Sequence, residues 1–340
     1  MHIKKKSEST VLITTPDYLP KLGGLTTFTI GLEKVLNDLG IIYDILVWDS
    51  IGELKNCEHK RNYDQCLHVH FMAGHFLKHI KSNKVINFIH GSEILFYSPN
   101  PIKRLAKMWM KRSLLKYIEK SYLNIFISEA TKNLLTSQGH SGDYSRDITL
   151  HNCIDTLGAR LASLNLEEDE LRFICVARDV PHKNIEGALD LCTSALKILN
   201  KSIKLYVTAP LSSRGGVVVE NIQGIDNDEL ELLYQKSHFN ILLSLDHSHK
   251  GFIEGFGLTV LEAGKYGAPS IVSCYGGLPE AVHHNVTGWV LDSVERASFD
   301  NFWLSFDMDK YKQIRLQTYE HTTAVHSLDY YKRFMEKCLK

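Results

Sequence analysis

Leu171-Arg172-Phe173-Ile174-Cys175-Val176-Ala177-Arg178-Asp179-Val180-Pro181-His182-Lys183-Asn184 decides how the rest of the chain is read. Its first seven residues are a mainly apolar run of strand length. A helix-period segment follows from Asn184 to Leu199, then a second strand run, Ile203–Ala209. Strand, helix, strand in that order is the parallel crossover unit of an α/β protein. In such sheets ligands gather at the carboxyl ends of the strands, which is where Arg178 and Lys183 fall.

The pattern continues in both directions. Downstream come a helix Asp226–Ser237, whose Asp226 and Glu229 have capping-box spacing, and a strand Phe239–Ser244. A helix from about Leu258, strand Pro269–Ser273, a short helix near Pro279 and strand Gly288–Leu291 follow, and beyond residue 298 all reads as helix. Upstream, strand runs lie at Val11–Thr15, Tyr43–Trp48, Cys66–His70, Val85–Ile89, Leu123–Ile127 and Asp147–Leu150. Between the first two, Phe28, Leu32, Val35, Leu36 and Leu39 form one apolar helix face that Gly40 stops. Over 151–170 the pattern loosens into a polar stretch ending Glu167-Glu168-Asp169-Glu170, which reads as a linker. The expectation is two α/β domains, 1–155 and 165–310, with 311–340 as a terminal helical segment.

The 340 residues are 44% apolar and 23% charged, as in an ordinary soluble protein, and Lys+Arg equal Asp+Glu at 39 each. That balance gives no general argument for nucleic acid. The halves differ: residues 1–155 hold 20 basic and 15 acidic side chains, the remainder 19 and 24, so the first half is the one suited to an anionic surface or substrate. The seven cysteines lack C-x-x-C spacing and mostly sit in apolar runs, which reads as buried thiols in a reducing, cytoplasmic setting. The apolar run after Lys4-Lys5-Lys6 is too short for a signal peptide, and nothing approaches the roughly 18 apolar residues of a membrane span.

Glu254-Gly255-Phe256-Gly257-Leu258-Thr259-Val260-Leu261-Glu262-Ala263 is the most informative segment for chemistry. Free amides from Gly257 to Thr259 at a helix start favour an anion such as a diphosphate, and glycine lets a ligand approach the backbone. Glu262, one turn on, suits a ribose diol, and Glu254 suits sugar hydroxyls; two solvated glutamates at a glycine-broken helix start are the plainer reading. Arg178 and Lys183, with Asn184 capping the next helix, suit a diphosphate leaving group as fork plus point charge, against a merely solvated basic loop. Pro20-Lys21-Leu22-Gly23-Gly24-Leu25-Thr26-Thr27 follows the first strand as a phosphate- or substrate-hugging loop, without the G-x-G-x-x-G of nicotinamide binding. His90-Gly91-Ser92-Glu93 again lies at a sheet's carboxyl edge, and Tyr275-Gly276-Gly277-Leu278-Pro279-Glu280 is a glycine turn after a strand. Cys66, His68 and His70 alternate on one strand face and Asp246-His247-Ser248-His249 has metal-like spacing, but neither offers a convincing ligand set.

Together these residues resemble the retaining glycosyltransferases of family four, which have the GT-B fold. The resemblance is strongest from Arg178 to Gly288, through Arg178 with Lys183-Asn184, the E-x7-E pair Glu254/Glu262, Gly267-Ala268-Pro269, Gly276-Gly277-Leu278-Pro279-Glu280 and Thr287-Gly288. Weaker matches are Gly23-Gly24, Asp64 to His70, His90-Gly91, Phe126-Ile127-Ser128-Glu129-Ala130 and Asn152 to Asp155. The resemblance implies two Rossmann-like domains with parallel sheets facing across a cleft, and a C-terminal helix within 311–340 that returns to the first domain. It implies that Arg178 and Lys183 bind the donor diphosphate, Glu262 the ribose and Glu254 the transferred sugar. Amides near Gly257, Leu258 and Thr259 would touch phosphate, His90 would lie near the sugar, and Gly23-Gly24 would close over the donor. The implied enzyme is a metal-independent hexosyltransferase that uses a UDP or GDP sugar, needs no cofactor, and acts on a glycan or lipid-linked acceptor in polysaccharide biosynthesis. Ala177 replaces the family's usual Gly before Arg178, and His151-Asn152-Cys153 its usual Pro-Asn-Gly, without removing a charged donor contact.

A sugar-nucleotide epimerase of the same fold and a non-catalytic sugar-nucleotide-binding subunit are the rivals. A glycosidase would explain paired carboxylates but not the adjacent basic pair. Residues 102–120 hold seven basic side chains and one acid interleaved with Met108, Trp109, Met110, Leu114 and Leu115. A solvated helix is the plain reading of that segment; peripheral docking on an anionic cytoplasmic membrane is the functional one.

Overall fold

The β-branched runs pair into two separate sheets in the computed structural model, which describes residues 2–4, 10–21, 23–58, 61–77, 79–98, 100–143, 145–164 and 166–339. Lys5, Lys6 and Leu22, quoted above, lie outside the described residues. Unit 1 comprises Met1–Asp155, Ser248–Phe256 and Ser327–Lys340; unit 2 comprises Thr156–His247 and Gly257–His326.

The described strands of unit 1 are β1 (His2–Lys4), β2 (Val11–Thr15), β3 (Tyr43–Val47), β4 (Tyr63–His68), β5 (Ser82–Ile89), β6 (Leu123–Phe126) and β7 (Asp147–Thr149). Their spatial order is β1-β3-β2-β4-β5-β6-β7, parallel throughout except for β1, which runs antiparallel to β3. Helix α1 (Gly24–Asp38) buries Phe28, Leu32, Val35 and Leu36 among residues such as Ile13, Ile45 and Leu67. A second apolar cluster draws on α2 (Ile51–Lys55), α3 (Met72–Phe76), α4 (Pro101–Lys120) and α5 (Glu129–Ser137) through Leu54, Phe76, Leu114, Ile118 and Leu135. Each such side chain stabilises the fold by roughly 1.5–3 kcal/mol on burial, so the two apolar faces of the sheet account for its helical covering.

Unit 2 pairs β8 (Glu170–Cys175), β9 (Ser202–Val207), β10 (Val218–Asn221), β11 (Phe239–Leu242), β12 (Ser270–Ser273) and β13 (Gly288–Leu291) in the order β10-β9-β8-β11-β12-β13, all parallel. Its helices are α6 (Ile185–Leu199), α7 (Asn227–Lys236), α8 (Leu258–Gly264), α9 (Leu278–Ala281), α10 (Arg296–Leu304) and α11 (Tyr311–Val325). Asp226 and Glu229 form the capping box at the start of α7. Phe173 stacks on Phe239, and Trp303 stands edge-on to both while its indole nitrogen donates to the Leu191 carbonyl at 3.0 Å. That bond satisfies the one polar atom the ring would otherwise strand in the core.

Three differences from the sequence reading have physical causes. Strand β10 was not read because it lacks a buried face: Val218, Glu220 and Asn221 are exposed and no apolar alternation marks it. The stretch after Asp155 is no loose linker. Arg160 and Ala162 donate their amides to the carbonyls of Lys265 and Tyr266, and Arg315 donates to the Ala162 carbonyl at 2.6 Å, which fixes the segment to unit 2. Residues 311–340 form two helices instead of one. α11 is held in unit 2, where Thr318 donates to the Thr287 carbonyl at 3.0 Å. The chain breaks at His326-Ser327, and α12 (Leu328–Leu339) belongs to unit 1, where its Tyr331 and Met335 join the apolar cluster of α1. Among the described residues no helix is long and apolar enough to cross a membrane.

Candidate functional site

The charged residues singled out in unit 2 lie after β8 and on α8. The loop after β8 is pinned to the end of β9: the Ala177 amide donates to Thr208 Oγ1, and that hydroxyl returns a bond to the Ala177 carbonyl, both at 2.8 Å. Arg178 follows at once, exposed; its carbonyl accepts from the Val180 amide at 2.8 Å, and its guanidinium makes no hydrogen bond or ion pair among the described residues. Lys183 ends the short turn Pro181–Lys183, half-buried, and its charge pulls against the burial that pushes the Cys175 thiol up to about 12. The Leu245 amide donates to the His182 carbonyl at 2.7 Å, tying this turn to the segment after β11.

Asn184 corrects one expectation. It occupies the position before α6 in a left-handed conformation, φ 49°, and its side chain makes no capping bond. The amide group lies over Gly187 instead, where any Cβ would collide with it.

Helix α8 opens without a side-chain cap at Gly257, whose φ of 98° favours glycine and where a Cβ would stand 2.8 Å from Leu278 and 3.1 Å from Leu242. The amides of Leu258 and Thr259 in its first turn therefore point outward with no intrahelical acceptor, and Thr259 Oγ1 has no hydrogen-bond partner among the described residues. One turn on, Glu262 accepts the Tyr234 hydroxyl at 2.9 Å through one carboxyl oxygen, and its other oxygen has no hydrogen-bond partner among the described residues. Burial pushes the Glu262 carboxyl above its ordinary range; the Tyr234 bond and Lys265 oppose that shift. Gly276, in the turn before α9, also takes a left-handed conformation at φ 63°.

Glu254 does not sit with Glu262 in one unit. Ser248–Phe256 is part of unit 1, so the E-x7-E segment divides between Phe256 and Gly257. The half-buried Glu254 lies in a loop held in part by Ser128, which donates to the Gly255 carbonyl at 2.7 Å, and by Ser92, which donates to the Ile253 carbonyl at 3.3 Å, while Gly255 abuts the His90 carbonyl so closely that a Cβ would overlap it. His90 and the Glu254 loop are thereby neighbours, which the sequence interval between them conceals. The His90 ring stands edge-on to Phe28 with centroids 4.9 Å apart, and Nε2 is buried without a hydrogen-bond partner among the described residues. Burial holds its pKa down to about 4, so the ring is neutral near pH 7. Gly23 precedes α1 in extended backbone with nothing near its Cβ position, and Gly24 is the helix's first residue.

His68 and His70 do not share a strand, as β4 ends at His68. His68 is buried against Thr14, Oγ1 to Nδ1 2.7 Å, while His70 stacks on Phe71 beyond the strand end. Among the described residues no three His, Cys, Asp or Glu side chains come together as ion ligands. The contacts of Ser128 and Tyr234 went unread in the sequence. Ser128 carried a signal as the capping residue of α5; Tyr234 carried none, being one aromatic on an ordinary helix.

Two units of parallel sheet with helices on both faces define the GT-B class, and the chain has that fold. More particularly, residues 213–301 match the family model of glycosyl transferases group 1. Sucrose-phosphate synthase from Thermosynechococcus elongatus superposes with a TM-score of 0.72 over 98% of both chains at 13% identity. Anabaena HepE, solved with UDP and glucose, superposes with a TM-score of 0.68 over 98% of this chain and 99% of that one at 14% identity. In sequence, a GDP-mannose-dependent alpha-(1-6)-phosphatidylinositol monomannoside mannosyltransferase of Mycobacterium tuberculosis is 30% identical over 149 residues, 40% of this chain. That match spans 39% of the relative's own length.

Proposed function

We propose that the chain transfers a hexose from a nucleoside diphosphate sugar to a glycan or lipid-linked acceptor, with retention of configuration and without a metal ion. One observation carries the reading. Unit 2 holds an unpartnered exposed guanidinium, a lysine in the next turn, uncapped amides at a helix start and a carboxylate with one open oxygen. Fork, point charge and backbone donors suit a diphosphate and lower its energy as charge builds on it in leaving. The open Glu262 oxygen suits ribose hydroxyls. Glu254 is assigned the hydroxyls of the transferred sugar, His90 a place beside it, and Gly23-Gly24 a backbone approach to the donor.

In the transfer step the bond from the sugar's C1 to the phosphate oxygen breaks. The acceptor oxygen forms its bond to C1 on the same face, and the acceptor's proton passes to the departing phosphate oxygen. Arg178 and Lys183 supply the positive charge at that oxygen. The likeness to a GDP-mannose-dependent enzyme and to a fold solved with UDP and glucose supports a GDP or UDP sugar as donor.

The test is a panel of UDP and GDP hexoses read by calorimetry and mass spectrometry, with and without chelator. Free nucleoside diphosphate plus transferred sugar is expected in both conditions. An isomerised donor without transfer would favour an epimerase, and binding without turnover on any acceptor a partner subunit. Activity lost to chelator and restored by a divalent ion would overturn the metal-free reading.

Peripheral docking on an anionic cytoplasmic membrane is part of this proposal. Ile102, Leu105, Met108 and Trp109 of α4 are exposed at helical spacing, 60–86% of each side open, beside Lys103, Arg104 and Arg112. Basic residues near anionic lipid contribute roughly 1 kcal/mol each, and the tryptophan supplies an interfacial anchor. Vesicle co-sedimentation reads it: binding to anionic lipid that weakens with salt is expected, and none at low salt rejects docking.

A further inference from the structure

Unit 1 contains a cavity of about 760 Å³ between α2, α3 and α4 that no step of the transfer reading uses. On α4 its wall is Trp109, Arg112, Ser113 and Lys116, spaced so that one helix face turns toward it. Lys55 enters from the end of α2, and His75 and Phe76 from α3. The Lys55 ammonium lies 5.3 Å over the Phe76 ring, and Ser113 Oγ is 3.4 Å from His75 Nε2.

The charge of this wall is one-sided. No carboxylate is among its described lining residues, and Lys55, Arg112 and Lys116 make no ion pair among the described residues. Arg112 and Lys116 are four apart on one helix, a spacing at which like charges repel and weaken the helix. A third cation across the cavity adds to that repulsion. An anion seated between them reverses its sign, and buried Phe76 with exposed Trp109 at the rim offers aromatic surface to an organic group attached to it.

We propose that this cavity binds an organic phosphate, the phosphate between Lys55, Arg112 and Lys116 and its organic portion against Trp109 and Phe76. The site is independent of the donor residues, and it differs from docking by surface charge in requiring the cavity's own cations.

Two probes distinguish the sources of such a phosphate: glucose 1-phosphate titrated by calorimetry, and vesicles of phosphatidate compared with phosphatidylserine vesicles of matched surface charge. The full-length protein is tested with Lys55→Glu and Lys116→Glu, and with Lys312→Glu, exposed on α11 of unit 2, as a control of equal charge change outside both the cavity and the docking face. Saturable binding of glucose 1-phosphate, or preference for phosphatidate, is expected; either should weaken at least tenfold in the two cavity variants and less than threefold in the control. The first pattern marks a soluble ligand and the second a lipid headgroup, and both support the site. No saturable binding of either probe overturns the proposal, as does equal weakening by Lys312→Glu.

Discussion

Glu262→Gln separates the cost of a buried carboxylate from its use. In the ligand-free protein the carboxyl is pushed above its ordinary range, chiefly by burial, so its ionised form is disfavoured in the fold relative to the unfolded chain. Raising the folded pKa makes the charge a destabilising element above that range. The amide keeps an oxygen for the Tyr234 hydroxyl, now at 2.9 Å, and carries no charge to desolvate. The variant should therefore unfold at a higher denaturant concentration than the parent near pH 7, with the difference shrinking as the pH falls and the parent's carboxyl protonates. Nucleotide binding should move the other way. A bond from a ribose hydroxyl to a charged acceptor is worth about 1.5–3 kcal/mol, so free UDP or GDP should bind roughly ten- to a hundredfold more weakly. Calorimetry with the free nucleotide and urea unfolding, on one preparation, read both effects. Glu254→Ala is the control: it should spare nucleotide affinity and harm transfer. Unchanged nucleotide affinity in Glu262→Gln, or equal loss in both variants, would refute the division of labour.

Arg178→Ala should reduce donor binding or turnover at least tenfold through loss of a charge-assisted contact. Because the guanidinium is exposed and unpaired among the described residues, the variant's unfolding free energy should stay within about 0.5 kcal/mol of the parent's; unchanged kinetics would remove Arg178 from the site. Gly255→Ala should abolish transfer while sparing nucleotide affinity, because its Cβ overlaps the His90 carbonyl and must displace the Glu254 loop; full activity would show the loop does not position Glu254. Burial holds His68 down to about 3 and His90 to about 4, so below about pH 6.5 the unfolded chain takes up protons that the fold refuses. Stability should fall as the pH drops from 6.5 toward 4, by up to about 1.4 kcal/mol per unit for each histidine held down by burial, His70 included, and His90→Asn should remove its own share of that slope. A slope identical to the parent's in urea unfolding from pH 7 to 5 would contradict it.

What the sequence made legible follows from what each kind of residue needs. Buried parallel strands need apolar faces, so Val11–Thr15, Leu171–Cys175 and Gly288–Leu291 announced themselves. Val218–Asn221 did not, since an edge strand pairs by backbone alone and tolerates Glu220 and Asn221 outward. The places of Arg178, Lys183 and Glu262 were legible because they fall within turns of elements whose order the periodicity sets. That Glu254 belongs to unit 1 was not legible, for the opposite reason: its loop takes its place from Ser92, Ser128 and the His90 carbonyl, partners more than a hundred residues away that no local pattern encodes. Asn184 shows a subtler limit. Its residue type suits a cap, but Gly187 leaves room for the side chain to fold over the helix, and the left-handed backbone that results carries Asn184 out of capping geometry. A capping residue is thus defined by its backbone conformation before its chemistry, and only the tertiary context supplies that.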